Sequence, residues 1–188
     1  KLTTLVISSV FVILFLVVSA VESNSVVLNG YSTVLHCAVI CIGIQWIAWI
    51  PASIWKTERF YDLTGGFTFL LVVLFSLWSG SQFEPPSLRE IIVSTLVIVW
   101  SLRLSSFLYF RIHRTGKDGR FDRLKTSPIR FLVPWTLQGL WVFLTMVVVI
   151  VINNQEITSP AFAVWDWIGL LLWIIGFGIE VIADNQKT

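Results

Sequence analysis

Six long apolar runs, separated by short polar stretches, constrain this chain more than any other feature. They cover residues 2–21, 33–55, 67–83, 91–110, 131–152 and 165–183. A helix crosses the hydrocarbon core with about 20 such residues, and it satisfies its own backbone polar groups there. The chain is 56% hydrophobic and 13% charged, whereas a soluble domain carries about 25% charge. The expected fold is therefore all-α: a polytopic transmembrane helical bundle of about six spans, forming a single membrane domain over residues 1–188. The first run exceeds the 7–15 residues of a signal-peptide core, and no small-residue cleavage motif follows it. Pro51 is expected to kink or end the second helix, and Pro85-Pro86 to close the third. Asp62 or Thr64 suits the N-cap of that third helix.

The charge that remains is unevenly placed. Residues 111–130 carry Arg111, Arg114, Lys117, Arg120, Arg123, Lys125 and Arg130 against Asp118 and Asp122. Basic residues collect in cytoplasmic loops. Alternating six spans from a cytoplasmic Lys1 puts Lys56, Arg59, this whole basic loop and Lys187 on the cytoplasmic side. Of the thirteen Lys and Arg, only Arg89 then falls outside and Arg103 within a span. Both termini are expected in the cytoplasm, with the membrane being the endoplasmic reticulum in a eukaryote or the inner membrane in a bacterium.

Charges within spans are expensive and mark function by default. Arg103 lies about 12 Å deeper along its helix than Arg111, at 1.5 Å per residue. Glu180 and Asp184, four residues apart, share one helical face with Gly176, Trp173 and Gly169. That face is expected to look into the bundle, bringing Glu180 to Arg103 or into a shared polar cavity. The alternative is a snorkelling Arg103 and two acids at a frayed helix end. Trp100, Arg103, Phe107, Arg111 and Arg114 form a second stripe, and arginines suit bidentate phosphate contacts.

The loop Gly116-Lys117-Asp118-Gly119-Arg120-Phe121-Asp122 allows a tight turn with exposed amides. It matches neither nucleotide-binding glycine motif, and contact with anionic lipid is its plainer reading. Glu58, Tyr61, Asp62 and the diglycine Gly65-Gly66 either line a site or cap a helix. Cys37 and Cys41 read as small buried residues. His36 and Gln45 read as bonding across helices. No metal-ligand spacing, internal repeat or soluble domain is visible, and nothing calls for nucleic acid.

Taken together, the segments from Glu58 to Gly66, Trp100-Ser101-Leu102-Arg103-Leu104, Arg111 with the 116–122 loop, Gln138, Trp165-Asp166, Gly169, Trp173, Gly176-Phe177, Glu180, Ala183-Asp184 and Gln186-Lys187 resemble the membrane-bound steroid 5-alpha-reductase-like proteins. The resemblance is to their poorly characterised branch, a domain of unknown function. It implies a helical bundle related to sterol reductases and isoprenylcysteine carboxyl methyltransferases. It also implies NADPH as cofactor, a lipophilic sterol-like or enone substrate, and reduction of a carbon–carbon double bond. Arg103, Arg111, Lys117, Asp118, Arg120, Glu180 and Asp184 are the implied cofactor-binding residues. Glu58, Tyr61 and Glu180 are the candidates for the proton donor. Such proteins continue beyond Gln186-Lys187 into a further cofactor-binding motif, so the chain is expected to be an N-terminal fragment that is inactive alone. An S-adenosylmethionine-dependent membrane methyltransferase and a non-catalytic membrane scaffold are the alternatives.

Overall fold

The computed structural model describes residues 2–116, 118–154 and 162–186. Lys1, Lys117, the segment 155–161, Lys187 and Thr188 lie outside the described residues. Among the described residues six helices, all long and apolar enough to span a membrane, form the bundle: α1 Leu2–Val21, α2 Thr33–Trp55, α3 Tyr61–Ser81, α4 Leu88–Thr115, α5 Pro128–Asn154 and α6 Val164–Asn185.

Local chemistry sets their ends. The Ser32 hydroxyl accepts from the Leu35 amide and starts α2. Ser87 and Glu90 form a reciprocal capping box on α4, satisfying two donors that the helix cannot. Pro128 opens α5, where its missing N–H costs nothing. Gly116 stops α4 at φ 78°, a left-handed cap suited to glycine.

Several helix ends differ from the sequence expectation. α2 runs through Pro51 to Trp55, as the apolar run does, so the proline does not end the helix. α3 begins at Tyr61, six residues early, because its polar first turn lies at the bundle end instead of in the hydrocarbon. Its N-cap is Phe60, with no side-chain cap bond. Asp62 and Thr64 lie inside the helix, where the Thr64 hydroxyl bonds back to the Phe60 carbonyl. α4 runs on to Thr115, carrying Arg111 and Arg114 on the helix. Between α1 and α2 a hairpin, β1 Val27–Leu28 with β2 Tyr31–Ser32, turns on Asn29-Gly30, both at positive φ (50° and 83°). That dipeptide is the strongest short hairpin signal.

α5 is the central helix and packs on α1, α2 and α3. Gly139 brings it against the Cys41 carbonyl and Ile42 of α2, the close backbone approach that small residues permit in membranes. Phe143, Met146 and Ile150 fill the core with Val34, Cys37 and Cys41 from α2 and Val72 and Val73 from α3.

The helices alternate in direction, so polar contacts gather at two opposite ends. At the hairpin end, Asn153 Nδ2 donates to Ser76 Oγ (2.9 Å) and Ser94 Oγ (3.1 Å), tying α5 to α3 and α4. Thr33 and Ser79 hydroxyls meet at 2.6 Å. At the opposite end, which carries the basic loop, Tyr61 donates to the Pro134 carbonyl (2.9 Å). In mid-bundle Gln45 donates to Thr68 across α2 and α3, as expected. His36 instead bonds the Ser32 carbonyl one turn back on its own side of the bundle.

α6 stands apart. No residue of it is buried, and it is fastened to α4 by polar clamps at each end. Arg89 grips Asp166 with two 2.8 Å hydrogen bonds at the hairpin end. Arg103 grips Glu180 and Asp184 at the basic end.

Candidate functional site

Two polar clusters occupy the basic end of the bundle. The first joins α4 to α6. Arg103 Nη1 lies 2.6 Å from Glu180 Oε1, and Nη2 lies 2.7 Å from Asp184 Oδ2. The guanidinium fork suits two carboxylates presented one turn apart. Trp100 Nε1 donates to the second Glu180 oxygen at 3.0 Å. The Phe107 ring lies under the guanidinium, 5.5 Å from its centroid. Trp100, Arg103 and Phe107 therefore act as one face of α4.

The facing surface of α6 is formed by Asp166, Leu170, Trp173, Phe177, Glu180 and Asp184, all half-buried. Trp173 and Phe177 stack in parallel at 4.8 Å. Gly169 and Gly176, expected to look into the bundle, are exposed with nothing within 4 Å of a built Cβ. The acidic members of the stripe face α4, while the glycines lie on the exposed side of α6. One cation and two carboxylates leave this triad one formal negative charge.

The second cluster centres on Glu58, whose side chain is 3% exposed. Lys125 Nζ lies 2.7 Å from Glu58 Oε2, and the Asp118 amide donates to Oε1 at 3.0 Å. Lys125 also reaches Asp122 at 3.2 Å. Asp118 caps the short 3-10 turn Gly119–Phe121 and pairs with Arg120. The loop after α4 is thus latched onto the segment between α2 and α3. Phe121 then inserts beside Tyr61 at 4.9 Å and Phe131 at 6.1 Å, and Trp135 completes this aromatic core.

Electrostatics follow these contacts. The Arg120 guanidinium bonded to Asp118 holds its carboxyl below the usual range, with a weaker pull from Arg111. Burial pushes the Lys125 ammonium down, but its bonds to Glu58 and Asp122 outweigh that and hold it above the usual lysine value.

The expected cofactor residues therefore divide. Arg103, Glu180 and Asp184 come together. Asp118 and Arg120 pair within the separate loop cluster, and Arg111 lies near enough to Asp118 to bear on its charge. Lys117 lies outside the described residues. Of the candidate proton donors, Tyr61 is spent on the Pro134 carbonyl, Glu58 on Lys125, and Glu180 on Arg103 and Trp100. Sequence reasoning missed the Arg89–Asp166 clamp and the partners of Glu58. Their signals were present: Arg89 is the lone basic residue that the charge pattern puts on the non-cytoplasmic side, and Asp166 lies in the first turn of α6. Cys37 and Cys41 are buried and unpaired by disulfide, and no metal-binding group of His, Cys, Asp or Glu occurs among the described residues.

The family described as protein of unknown function (DUF1295) matches residues 48–188, which include both clusters. An uncharacterized protein of Schizosaccharomyces pombe is 28% identical over 125 residues, covering 59% of this chain and 35% of the relative. The chain thus spans about a third of the length of that curated relative. No solved structure matches it significantly. With most of its length matched, the chain belongs to the DUF1295 family of proteins of unknown function.

Proposed function

We propose that this chain is part of an NADPH-dependent membrane reductase that reduces a carbon–carbon double bond in a lipophilic, enone-type substrate, with its basic end facing the cytosol. The observation that carries the reading is the Arg103–Glu180–Asp184 triad, a polar site built within a membrane span where charge is costly. The steroid 5-alpha-reductase-like resemblance gives that site its chemistry.

The residues fit such a cofactor in a divided way. Glu180 and Asp184 are acceptors and suit ribose hydroxyls or a carboxamide. Arg103 is already shared between two carboxylates, so it orients them and leaves phosphate to other groups. Arg111 and Arg114, two to three turns further along α4 at about 3.6 residues per turn, would supply the cations for phosphate in this reading. A bound nicotinamide would supply a hydride to the β-carbon of the alkene. Trp100 and Arg103 hold the Glu180 carboxylate in one orientation, and Phe107, Trp173 and Phe177 wall the site with apolar rings. No proton donor is assigned, since Glu58, Tyr61 and Glu180 are each engaged elsewhere.

Full-length protein in membranes, given NADPH deuterated at the transferable position and a lipophilic enone, tests the reading. Deuterium on the product β-carbon supports it, and unlabelled or unreduced enone counts against it. A second reading rests on the triad's net negative charge, which suits the cationic sulfonium of S-adenosylmethionine. Transfer of a labelled methyl group to a lipophilic acceptor would favour that methyltransferase instead.

A further inference from the structure

A cavity of about 880 Å³ opens at the basic end, lined by Lys56, Glu58, Arg59, Phe60, Gly116 and Lys125. A groove of about 680 Å³ runs between α2, α3 and α4, lined mainly by apolar side chains such as Ile44, Pro51, Leu63, Phe67 and Leu102. Phe60 lines both, so the polar cavity and the apolar groove adjoin at this residue. Neither contains a member of the Arg103 triad.

The charges in the polar cavity do not cancel. Glu58 is neutralised by Lys125 and by the Asp118 amide. The side chains of Lys56 and Arg59 make no ion pair or hydrogen bond among the described residues. Lys56 also sits in a left-handed conformation (φ 50°) as the C-cap of α2. Glycine or asparagine usually takes that position, and strain retained in a charged residue points to a use for the side chain. The groove, in turn, lies between three helices long and apolar enough to span a bilayer, whose acyl chains suit an apolar channel.

We propose that cavity and groove form one site for an anionic membrane lipid. Its phosphate would lie between Lys56 and Arg59, and one acyl chain would pass Phe60 into the groove between α2, α3 and α4. The charge complementarity selects the head, and the groove selects a lipid over a soluble phosphate. This site is independent of the reductase reading.

The test uses the delipidated protein, with phosphatidylglycerol, phosphatidylcholine and glycerol 3-phosphate as probes. Native mass spectrometry counts retained molecules, and thermal shift follows stabilisation. One phosphatidylglycerol should be retained and should raise the melting temperature, with phosphatidylcholine and glycerol 3-phosphate giving neither effect. Lys56→Gln with Arg59→Gln should weaken phosphatidylglycerol binding about thirtyfold, each of the two cations near a lipid surface being worth about 1 kcal/mol. Arg123→Gln with Arg130→Gln, outside the cavity, should leave binding unchanged. Ser106→Phe should weaken it by filling the groove; should that variant misfold, the surface pairs still decide. Equal losses from the two double variants would reduce the effect to general surface attraction and overturn the site. Equal binding of phosphatidylcholine, or glycerol 3-phosphate binding as well as the lipid, would overturn it too.

Discussion

Arg103 carries a full charge inside α4, and Glu180 and Asp184 answer it from α6. Side-chain exposures of 20%, 34% and 13% place the triad between surface and core. Arg103→Ala leaves two carboxylates facing each other without a cation. It is expected to cost about 2–3 kcal/mol, below the 3–5 kcal/mol of a fully buried pair. Glu180→Gln keeps the Arg103–Asp184 pair and should cost less. The double exchange Arg103→Glu with Glu180→Arg restores one guanidinium and two carboxylates, so it should be more stable than either of its single variants. Unfolding of purified protein in detergent measures each of them, and a double variant no better than the singles would refute direct pairing.

The loop latch makes a second prediction at this scale. Asp118 is held below its ordinary 3.8, so its stabilising pair with Arg120 is complete above that value and is lost as pH falls through the lower folded value. Lys125 is held above its ordinary 10.5, so its bridge to Glu58 is complete below that value and is lost as pH rises through the higher folded one. Amide exchange over residues 118–121, corrected for intrinsic rates, should therefore show constant protection from about pH 5 to pH 9. A midpoint near neutrality would contradict the assignment.

At the scale of elements, α6 has no buried residue, so its two polar clamps onto α4 hold it in place. Arg89→Ala should free the hairpin end of α6 while leaving the Arg103 end attached. Cysteine pairs introduced across α4 and α6 near Arg89 should then cross-link more slowly, with those near Arg103 unchanged. Close packing elsewhere rests on glycine. A Cβ at Gly80 would collide with the Asn153 carbonyl, a backbone atom that cannot swing away. Gly80→Ala should destabilise the protein by about 1–3 kcal/mol and loosen the Asn153 contacts with Ser76 and Ser94. An unchanged melting temperature would rule out that approach of α3 to α5.

Six spans were legible because hydrocarbon length is a blunt criterion that apolar runs either meet or fail. Helix ends were less so. The polar first turn of α3 belongs to the helix because it projects beyond the membrane core, where hydropathy no longer discriminates. The Glu180–Asp184 spacing correctly pointed to Arg103, since helical periodicity fixes which side chains share a face. It could not tell that Gly169 and Gly176 turn away from α4 and are exposed, because small residues suit either side. Glu58 and Lys125 are 67 residues apart, and nothing local in either segment names the other.

The whole molecule reads as a membrane bundle with polar contacts at both ends and the larger ionic clusters at the basic one. α5 holds the centre, the hairpin end is knotted by serine, threonine and asparagine, and the basic end carries both ionic clusters. Membership in a family of unknown function leaves the cofactor to be settled by measurement. The most direct one is equilibrium binding of NADPH to the full-length protein in nanodiscs, followed by energy transfer from tryptophan to the reduced nicotinamide. A reductase built on the Arg103 triad should show saturable binding that Glu180→Gln weakens about tenfold or more, the loss of one hydrogen bond to a charged group being worth about 1.5–3 kcal/mol. S-adenosylmethionine should not compete. NADPH binding that is absent, or that is indifferent to Glu180→Gln and Arg103→Ala, would contradict it.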